Sequence, residues 1–192
     1  MASAPLKDRI PPHNADAEVA ALGAILLDPG ALPEVLAFLR PEDFYKASHG
    51  RIFEAIIALS DRGEEIDLIT VSHELRAKGQ LEQVGGPAYV SSLSSNVPTS
   101  ANVEYYARIV KESSVRRRLI RISHEVIASA YDDSQDSRRV IEEAEKRIFD
   151  VAEGTQQVSF LPAREIVEHT VEAIEKLYHT KDNYTGIPSG FP

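Results

Sequence analysis

The sequence predicts an all-α protein with a compact helical head domain, a long antiparallel helical hairpin and a separate linker helix. Apolar residues recur at intervals of three and four through most of the chain, which is the spacing of helices with one buried face. Proline and glycine interrupt this pattern at several points, where helices are expected to end. Residues 103–131 contain neither residue type, so one long helix is expected there.

Composition narrows the class of protein. The chain has 192 residues, no cysteine and a net charge of −9, with 43% hydrophobic residues. These values are ordinary for a folded protein and exclude disulfide scaffolds and thiolate chemistry. The acidic balance argues against a surface that binds nucleic acid throughout, although a local basic patch remains compatible with it. No apolar run is long enough to span a membrane, and the first 20 residues lack the apolar centre of a signal peptide, so we expect a cytoplasmic protein without a membrane partner.

The head domain is predicted over residues 14–100, after an extended arm at 1–13 that contains three prolines. Asn14 is a suitable N-cap for a first helix that begins at Ala15 and stops before Asp28. Residues 67–79 could begin as a short strand, but the helical period continues to Gly79 and favours a helix. Further helices are predicted at 32–39 and 48–62 and around Tyr89, Val90 and Leu93, with a turn at 41–44.

A helical hairpin is predicted over residues 101–153. Its two helices carry apolar residues at heptad-like spacing, and an acidic loop at 132–136 joins them. Ile120, Ile127 and Val140 lie off these seams and require another partner, either the head domain or a second copy of the chain. The predicted hairpin and oligomer-interface residues are Val115, Leu119, Ile122, Ile127, Ile141, Ala144 and Ile148.

A linker containing an amphipathic helix is predicted over residues 154–183. Pro162 is suited to the first turn of that helix. Nothing after Tyr178 offers enough apolar surface to receive the helix, so it is expected to dock on another domain or chain. The predicted docking face consists of Ile166, Thr170, Ala173, Ile174 and Leu177. Residues 184–192 have the composition of a turn-rich stub that begins a further domain.

Motifs for catalysis and cofactor binding are missing from the sequence. It has no Gly-Lys pair and therefore no phosphate-binding loop of the Walker type. The six histidines do not follow the spacing of a zinc motif, and most are expected at the surface or at the edge of the core. We therefore expect no catalytic residue, no metal site and no cofactor in this chain.

Four arginines, Arg116, Arg117, Arg118 and Arg121, cluster on the long predicted helix. Salt bridges to glutamates on a solvated helix face are the simpler interpretation. The alternative is a single-stranded DNA-binding domain in which these arginines contact phosphates and Tyr105 and Tyr106 stack on bases.

Several segments, taken in order, resemble the DnaB-type replicative DNA helicases. They are Arg9-Ile10-Pro11-Pro12, Glu18 with Leu22-Gly23-Ala24, Pro41-Glu42-Asp43-Phe44-Tyr45, the run from Val97 to Ala107, and Thr185-Gly186-Ile187-Pro188-Ser189-Gly190-Phe191. The resemblance covers the chain from Arg9 onward, and the last segment resembles the entry into the RecA-like motor domain of that family. It implies that the chain is the amino-terminal part of such a helicase, with ATP and Mg²⁺ bound in the absent motor domain.

The resemblance also implies partners. Amino-terminal domains of this family pair through their hairpins and form a collar on a hexameric ring, often as three dimers, and the linker helix docks on a neighbouring motor domain. The collar receives primase, and the corresponding contact positions are Asp16, Tyr89, Ile120 and Val126. DNA would be bound mainly by the motor domain. The implied location is the bacterial cytoplasm, at replication forks on the nucleoid.

Overall fold

The computed structural model describes residues 10–95, 97 and 99–153, which lie in one compact unit. These residues form helices and connecting turns without any strand, so the all-α class is confirmed. The helices are α1 (Ala15–Leu27), α2 (Leu32–Leu36), α3 (Ala47–Asp61), α4 (Leu68–Ala77), α5 (Gly86–Ser95), α6 (Val103–Ala130) and α7 (Ser137–Glu153). Short 3₁₀ turns lie at Pro29–Ala31, Pro41–Asp43 and Glu82–Val84.

Polar caps start α1 and α4. The side chain of Asn14 accepts a hydrogen bond from the backbone N–H of Ala17 at 2.9 Å, as the sequence predicts. The Asp67 carboxylate accepts from the N–H of Thr70, and the Thr70 hydroxyl accepts from the N–H of Asp67, which forms a reciprocal capping box. This box explains why the segment after Asp67 is a helix and not a strand.

The predicted second helix is too long at its carboxyl end. It was expected to reach Leu39, but α2 ends at Leu36. Pro41 disfavours the helical conformation at Arg40, and the N–H of Arg40 bonds to the carboxylate of Asp43 instead. Leu39 is nevertheless fully buried, because the turn still directs its side chain into the core.

Helix α1 lies in the core between α5 and α6. Its residues Leu22 and Ile25 are fully buried, as are Ile52 and Phe53 of α3. A Cβ atom added at Gly23 would lie 2.2 Å from the carbonyl oxygen of Leu93, so only glycine allows α1 and α5 to come this close.

Helix α6 belongs to two packing environments. Its first turns contribute Val103, Ala107 and Val110 to the hydrophobic core, so the core extends past residue 100. Its second half packs against α7, and an ion pair joins Glu125 of α6 to Arg147 of α7. Because only residues 131–136 join the end of α6 to the start of α7, the two packed helices are antiparallel.

Candidate functional site

Three helices contribute one residue each to a polar triad. The residues are Glu18 of α1, His49 of α3 and Tyr89 of α5. The Glu18 Oε2 atom lies 2.6 Å from His49 Nδ1, and His49 Nε2 lies 2.6 Å from the Tyr89 hydroxyl. An ionised carboxylate only accepts hydrogen bonds, so Nδ1–H donates to Glu18. Glu18 and His49 are 1% and 0% exposed, whereas Tyr89 is half-buried and reaches the surface. The triad therefore connects a surface aromatic side chain to the centre of the protein.

Backbone geometry places Tyr89 in this arrangement. Gly85 and Gly86 have φ angles of 106° and 72°, which a residue with a side chain rarely adopts. A Cβ atom at Gly85 would also lie 2.9 Å from Cβ of Tyr89. The double glycine thus ends the preceding turn, begins α5 and leaves space for the tyrosine.

Further contacts stabilise the Glu18 carboxylate. Its Oε1 atom accepts the backbone N–H of Tyr45 at 2.6 Å, and Oε2 accepts the N–H of Lys46 at 3.4 Å. Burial by itself raises the pKa of the Glu18 carboxyl, but the hydrogen bonds from His49 and Tyr45 outweigh it and hold this pKa below its usual value. Burial, with a smaller contribution from the Glu18 charge, raises the pKa of the Tyr89 hydroxyl.

A second buried carboxylate, Asp43, attaches α6 to the rest of the domain. Its Oδ1 atom accepts the Ser114 hydroxyl at 2.6 Å, and its Oδ2 atom accepts Lys111 Nζ at 3.0 Å. Arg117, one turn further along α6, donates to the backbone carbonyls of Pro12 and Asp43. Residues 10–13 of the predicted arm are therefore attached to the domain at Pro12.

The four predicted primase-contact residues occupy different environments. Asp16 is exposed in the first turn of α1, and Ile120 is 42% exposed on α6. Tyr89 has its hydroxyl inside the triad. Val126 lines a small cavity between α6 and α7 with Val140 and Ala144, so its side chain packs inside the hairpin. The expectation that Val140 lies off the seam is wrong for the same reason.

The predicted hairpin residues divide into two groups. Ile122 is buried, Val115 and Ala144 are half-buried, and Ala144 faces α6 across the cavity. Leu119, Ile141 and Ile148 are exposed, so their assignment to a seam buried within one hairpin is wrong. Ile127, which was predicted to lie off the seams, is exposed as well. Exposed apolar residues of the hairpin are Leu119 (41%), Ile120 (42%), Ile127 (52%), Ile141 (59%), Ile148 (53%) and Phe149 (59%). The apolar arc of each helix is wider than one helix-helix contact, which is why part of it stays uncovered.

The arginine cluster does not form a single surface. Arg116 pairs with Glu112 and Arg121 with Glu125, as expected for a solvated helix face. Arg117 is held by the two backbone carbonyls, and Arg118 has no ion pair or hydrogen bond within the described part of the chain. Tyr106 and Tyr105 lie 11 and 12 residues before Arg117, which is ~17–18 Å along a helix. The predicted platform of arginines and tyrosines is therefore not assembled.

Sequence reasoning missed the role of Glu18 and His49. Glu18 occupies the same face of α1 as Leu22 and Ile25, and His49 the same face of α3 as Ile52 and Phe53. A carboxylate and an imidazole in apolar register signal buried polar groups that need partners. Most histidines were expected at the surface or at the edge of the core, and His49 is an exception because it is fully buried.

The predicted docking face of the linker helix lies outside the described residues. It consists of Ile166, Thr170, Ala173, Ile174 and Leu177, and the structure describes neither residues 1–9 nor residues 154–192. Among the described ranges, no three His, Asp or Glu side chains come together in a way that could hold a metal ion. None of the helices in those ranges is long and apolar enough to cross a lipid bilayer.

Similarity to solved structures defines the class of protein. The crystal structure of the N-terminal domain of DnaB helicase from Mycobacterium tuberculosis has a TM-score of 0.71 and 40% identity, covering 73% of this chain and 99% of that one. A structure of a DnaB-like replicative helicase and its interactions with primase has a TM-score of 0.63 and 26% identity, covering 93% of this chain and 38% of that one. The fold is that of the helical N-terminal domain of a replicative helicase.

Sequence comparison identifies the family. The model of the DnaB-like helicase N terminal domain matches residues 10–112, and this chain belongs to that family. The replicative DNA helicase DnaB of Geobacillus stearothermophilus is 45% identical over 184 residues, which are 96% of this chain and 40% of that protein. The replicative DNA helicase DnaC of Bacillus subtilis is 44% identical over 186 residues, 97% of this chain and 41% of that protein. The chain thus spans about two fifths of these relatives.

Proposed function

We propose that this chain is the non-catalytic N-terminal collar and primase-docking part of a bacterial replicative DNA helicase. ATP-dependent unwinding, with ATP and Mg²⁺, belongs to a RecA-like motor domain, and the 192 residues carry no Gly-Lys pair for a phosphate-binding loop. DNA is bound mainly by that motor domain. The protein acts in the cytoplasm at replication forks, and its linker helix docks on a neighbouring motor domain.

The observation that carries the proposal is the uncovered apolar surface of the hairpin. Its exposed side chains include Ile141 and Ile148, which are seven residues apart and therefore lie on one face of α7. Apolar side chains grouped in this way mark interaction sites. Pairing of two hairpins would cover them and supply the dimer from which a hexameric ring is built.

Primase docking is the second part of the proposal. Tyr89 offers an anchored aromatic ring with a polar hydroxyl, Ile120 an exposed aliphatic side chain and Asp16 an exposed charge. An aromatic anchor with apolar neighbours and a charged rim is the usual composition of a protein-protein hot spot. The structural relative that is 26% identical is described together with its interactions with primase.

Molar mass in solution tests the collar. Sedimentation over a wide concentration range should give an even multiple of the 21.2 kDa chain mass. The double variant Ile141→Ser, Ile148→Ser should shift that mass to the monomer, whereas Ile69→Ser, an isoleucine 79% exposed on α4, should leave it unchanged. A wild-type chain that stays monomeric at the highest concentration contradicts the collar.

Titration with primase tests the docking surface. Tyr89→Ala should weaken binding at least tenfold, since hot-spot truncations cost ~2 kcal/mol or more. Tyr105→Ala is the control, because Tyr105 is 65% exposed at the start of α6 and is not assigned to this surface. Equal affinity of wild type and Tyr89→Ala for primase would exclude Tyr89 from the contact.

A further inference from the structure

An open groove lies between the Pro41–Asp43 turn and the middle of α6. Five side chains line it: Glu42, Ser114, Arg117, Arg118 and Arg121. Its volume is about 430 Å³, and none of its lining residues belongs to the polar triad or to the exposed apolar residues of the hairpin. We call it the arginine groove.

The spacing on α6 explains why these side chains converge. Ser114, Arg117, Arg118 and Arg121 stand at positions i, i+3, i+4 and i+7, which share one face of a helix. Arg116 is adjacent in sequence but lies on another face, where it pairs with Glu112. The fold therefore separates three arginines of the cluster from the fourth.

The groove carries uncompensated positive charge in an acidic chain. Arg117 donates to two backbone carbonyls, which are neutral acceptors and leave its charge unbalanced. Arg118 has no ion pair among the described residues, and Arg121 has one exposed pair with Glu125 at 3.2 Å. Glu42 is the single carboxylate in the lining. Three arginines and one glutamate give the lining a formal charge of about +2, and the Glu125 partner of Arg121 offsets one of these charges.

Arg117 is held in place before any ligand arrives. Its guanidinium lies 5.6 Å from the centre of the Tyr45 ring, which stacks on His13 with a ring separation of 4.2 Å. The two carbonyl contacts use two of its five N–H donors, so three remain for a ligand. A side chain that is already fixed loses little entropy on binding, which favours affinity.

We infer that the arginine groove binds a phosphate-bearing ligand. A guanidinium matches the oxygens of phosphate through paired hydrogen bonds. A terminal phosphate carries ≈ −1.5 to −2 charges and three acceptor oxygens, so it can contact more than one arginine at once, which favours it over a single carboxylate. None of the five side chains that line the groove is aromatic, so the groove is suited to contact phosphate without stacking on a base.

Two sources of phosphate share this chemistry, a free polyphosphate group and the backbone of single-stranded DNA. Calorimetric titration with pyrophosphate and fluorescence anisotropy with an oligo-dT strand, both at low salt, separate them. Binding of pyrophosphate alone assigns the groove to small phosphates, and binding of the strand assigns it to a nucleic-acid backbone. Either result requires the affinity to fall as salt is raised.

Matched variants of arginines on α6 test whether the arginine groove is the site of phosphate binding. Arg118→Gln and Arg121→Gln should each weaken binding about tenfold, the loss expected for one charge-assisted hydrogen bond. Arg116→Gln removes the same charge from another face of α6 and should change the affinity less than about twofold. All three variants should keep the wild-type urea midpoint, and Arg117 is left intact because it holds residue 12 of the arm.

Three results would overturn the inference. One is the absence of binding to both phosphate probes at low salt. The second is an equal loss for Arg116→Gln and Arg118→Gln, which would indicate diffuse attraction to the whole helix. The third is tighter binding of a polyglutamate peptide than of either phosphate probe, which would assign the groove to an acidic protein segment.

Discussion

Replacement of Glu18 by glutamine tests the polar triad. The substitution keeps the size of the side chain but removes the charge that accepts short hydrogen bonds from His49 and from the N–H of Tyr45, both at 2.6 Å. A hydrogen bond to a charged group contributes ~1.5–3 kcal/mol, and glutamine retains one acceptor oxygen. Because two such bonds are weakened, we expect the free energy of unfolding to fall by about 3 kcal/mol, at the upper end of that range.

Urea unfolding followed by circular dichroism at pH 7 measures this loss. With a denaturant slope of ~1–3 kcal/mol/M, the midpoint should fall by roughly 1–3 M. Glu54→Gln is the matched control, because Glu54 is exposed on α3 and its replacement should change stability by less than ~0.5 kcal/mol.

The pH dependence gives an independent check. The pKa of Glu18 is lowered by folding, so its stabilisation is complete above the unfolded pKa of ~4.3 and is lost as the pH falls through the folded pKa. The other carboxylates titrate in both proteins, so their contributions cancel in the difference between the two unfolding free energies. The gap in unfolding free energy between wild type and Glu18→Gln should shrink as the pH falls from about 5 to 3. A gap below ~0.5 kcal/mol at pH 7, or one unchanged at pH 3, would refute this account of the triad.

Three further perturbations address the packing and the polar contacts. Gly23→Ala should destabilise the domain by ~1–3 kcal/mol or more, measured by urea unfolding, because the new Cβ would overlap the carbonyl oxygen of Leu93. Ser114→Ala removes one donor from the buried Asp43 carboxylate and should lower the unfolding free energy by ~1.5–3 kcal/mol, with a lower thermal midpoint as the readout. Ultraviolet titration of wild type against Tyr89→Phe should show Tyr89 ionising above the usual ~10, and the stability that it contributes should disappear as the pH rises from ~10 through its folded pKa. A Tyr89 that titrates with the exposed tyrosines would contradict that last expectation.

Local sequence rules were sufficient for the helices. A capping side chain at Asn14, glycines at 63 and 79 with positive φ, and apolar residues at helical spacing act within a few residues of one another. Such signals survive without tertiary structure, and they predicted the all-α class and the start of α1. The order of the short segments also indicated the family before any structural comparison.

Long-range packing decided the sites. Glu18, His49 and Tyr89 are separated by 31 and 40 residues, and only the meeting of three helices brings their polar atoms within 2.6 Å. Four arginines within six residues have equivalent sequence surroundings, yet the position of the Pro41–Asp43 turn against α6 places three in the groove and leaves Arg116 outside it.

In the hairpin, too, local sequence predicts the helices and tertiary packing decides which residues are buried. Heptad spacing predicted which residues are apolar and helical, but it could not distinguish Ala144, which faces α6, from Ile148, which is 53% exposed. The two positions differ by only about one turn of the helix, and the angle at which α6 meets α7 selects between them. Sequence therefore determined the helices and their family, because both depend on local order along the chain. Tertiary structure alone determined which faces are buried and which remain available to a partner, because that depends on how the helices pack.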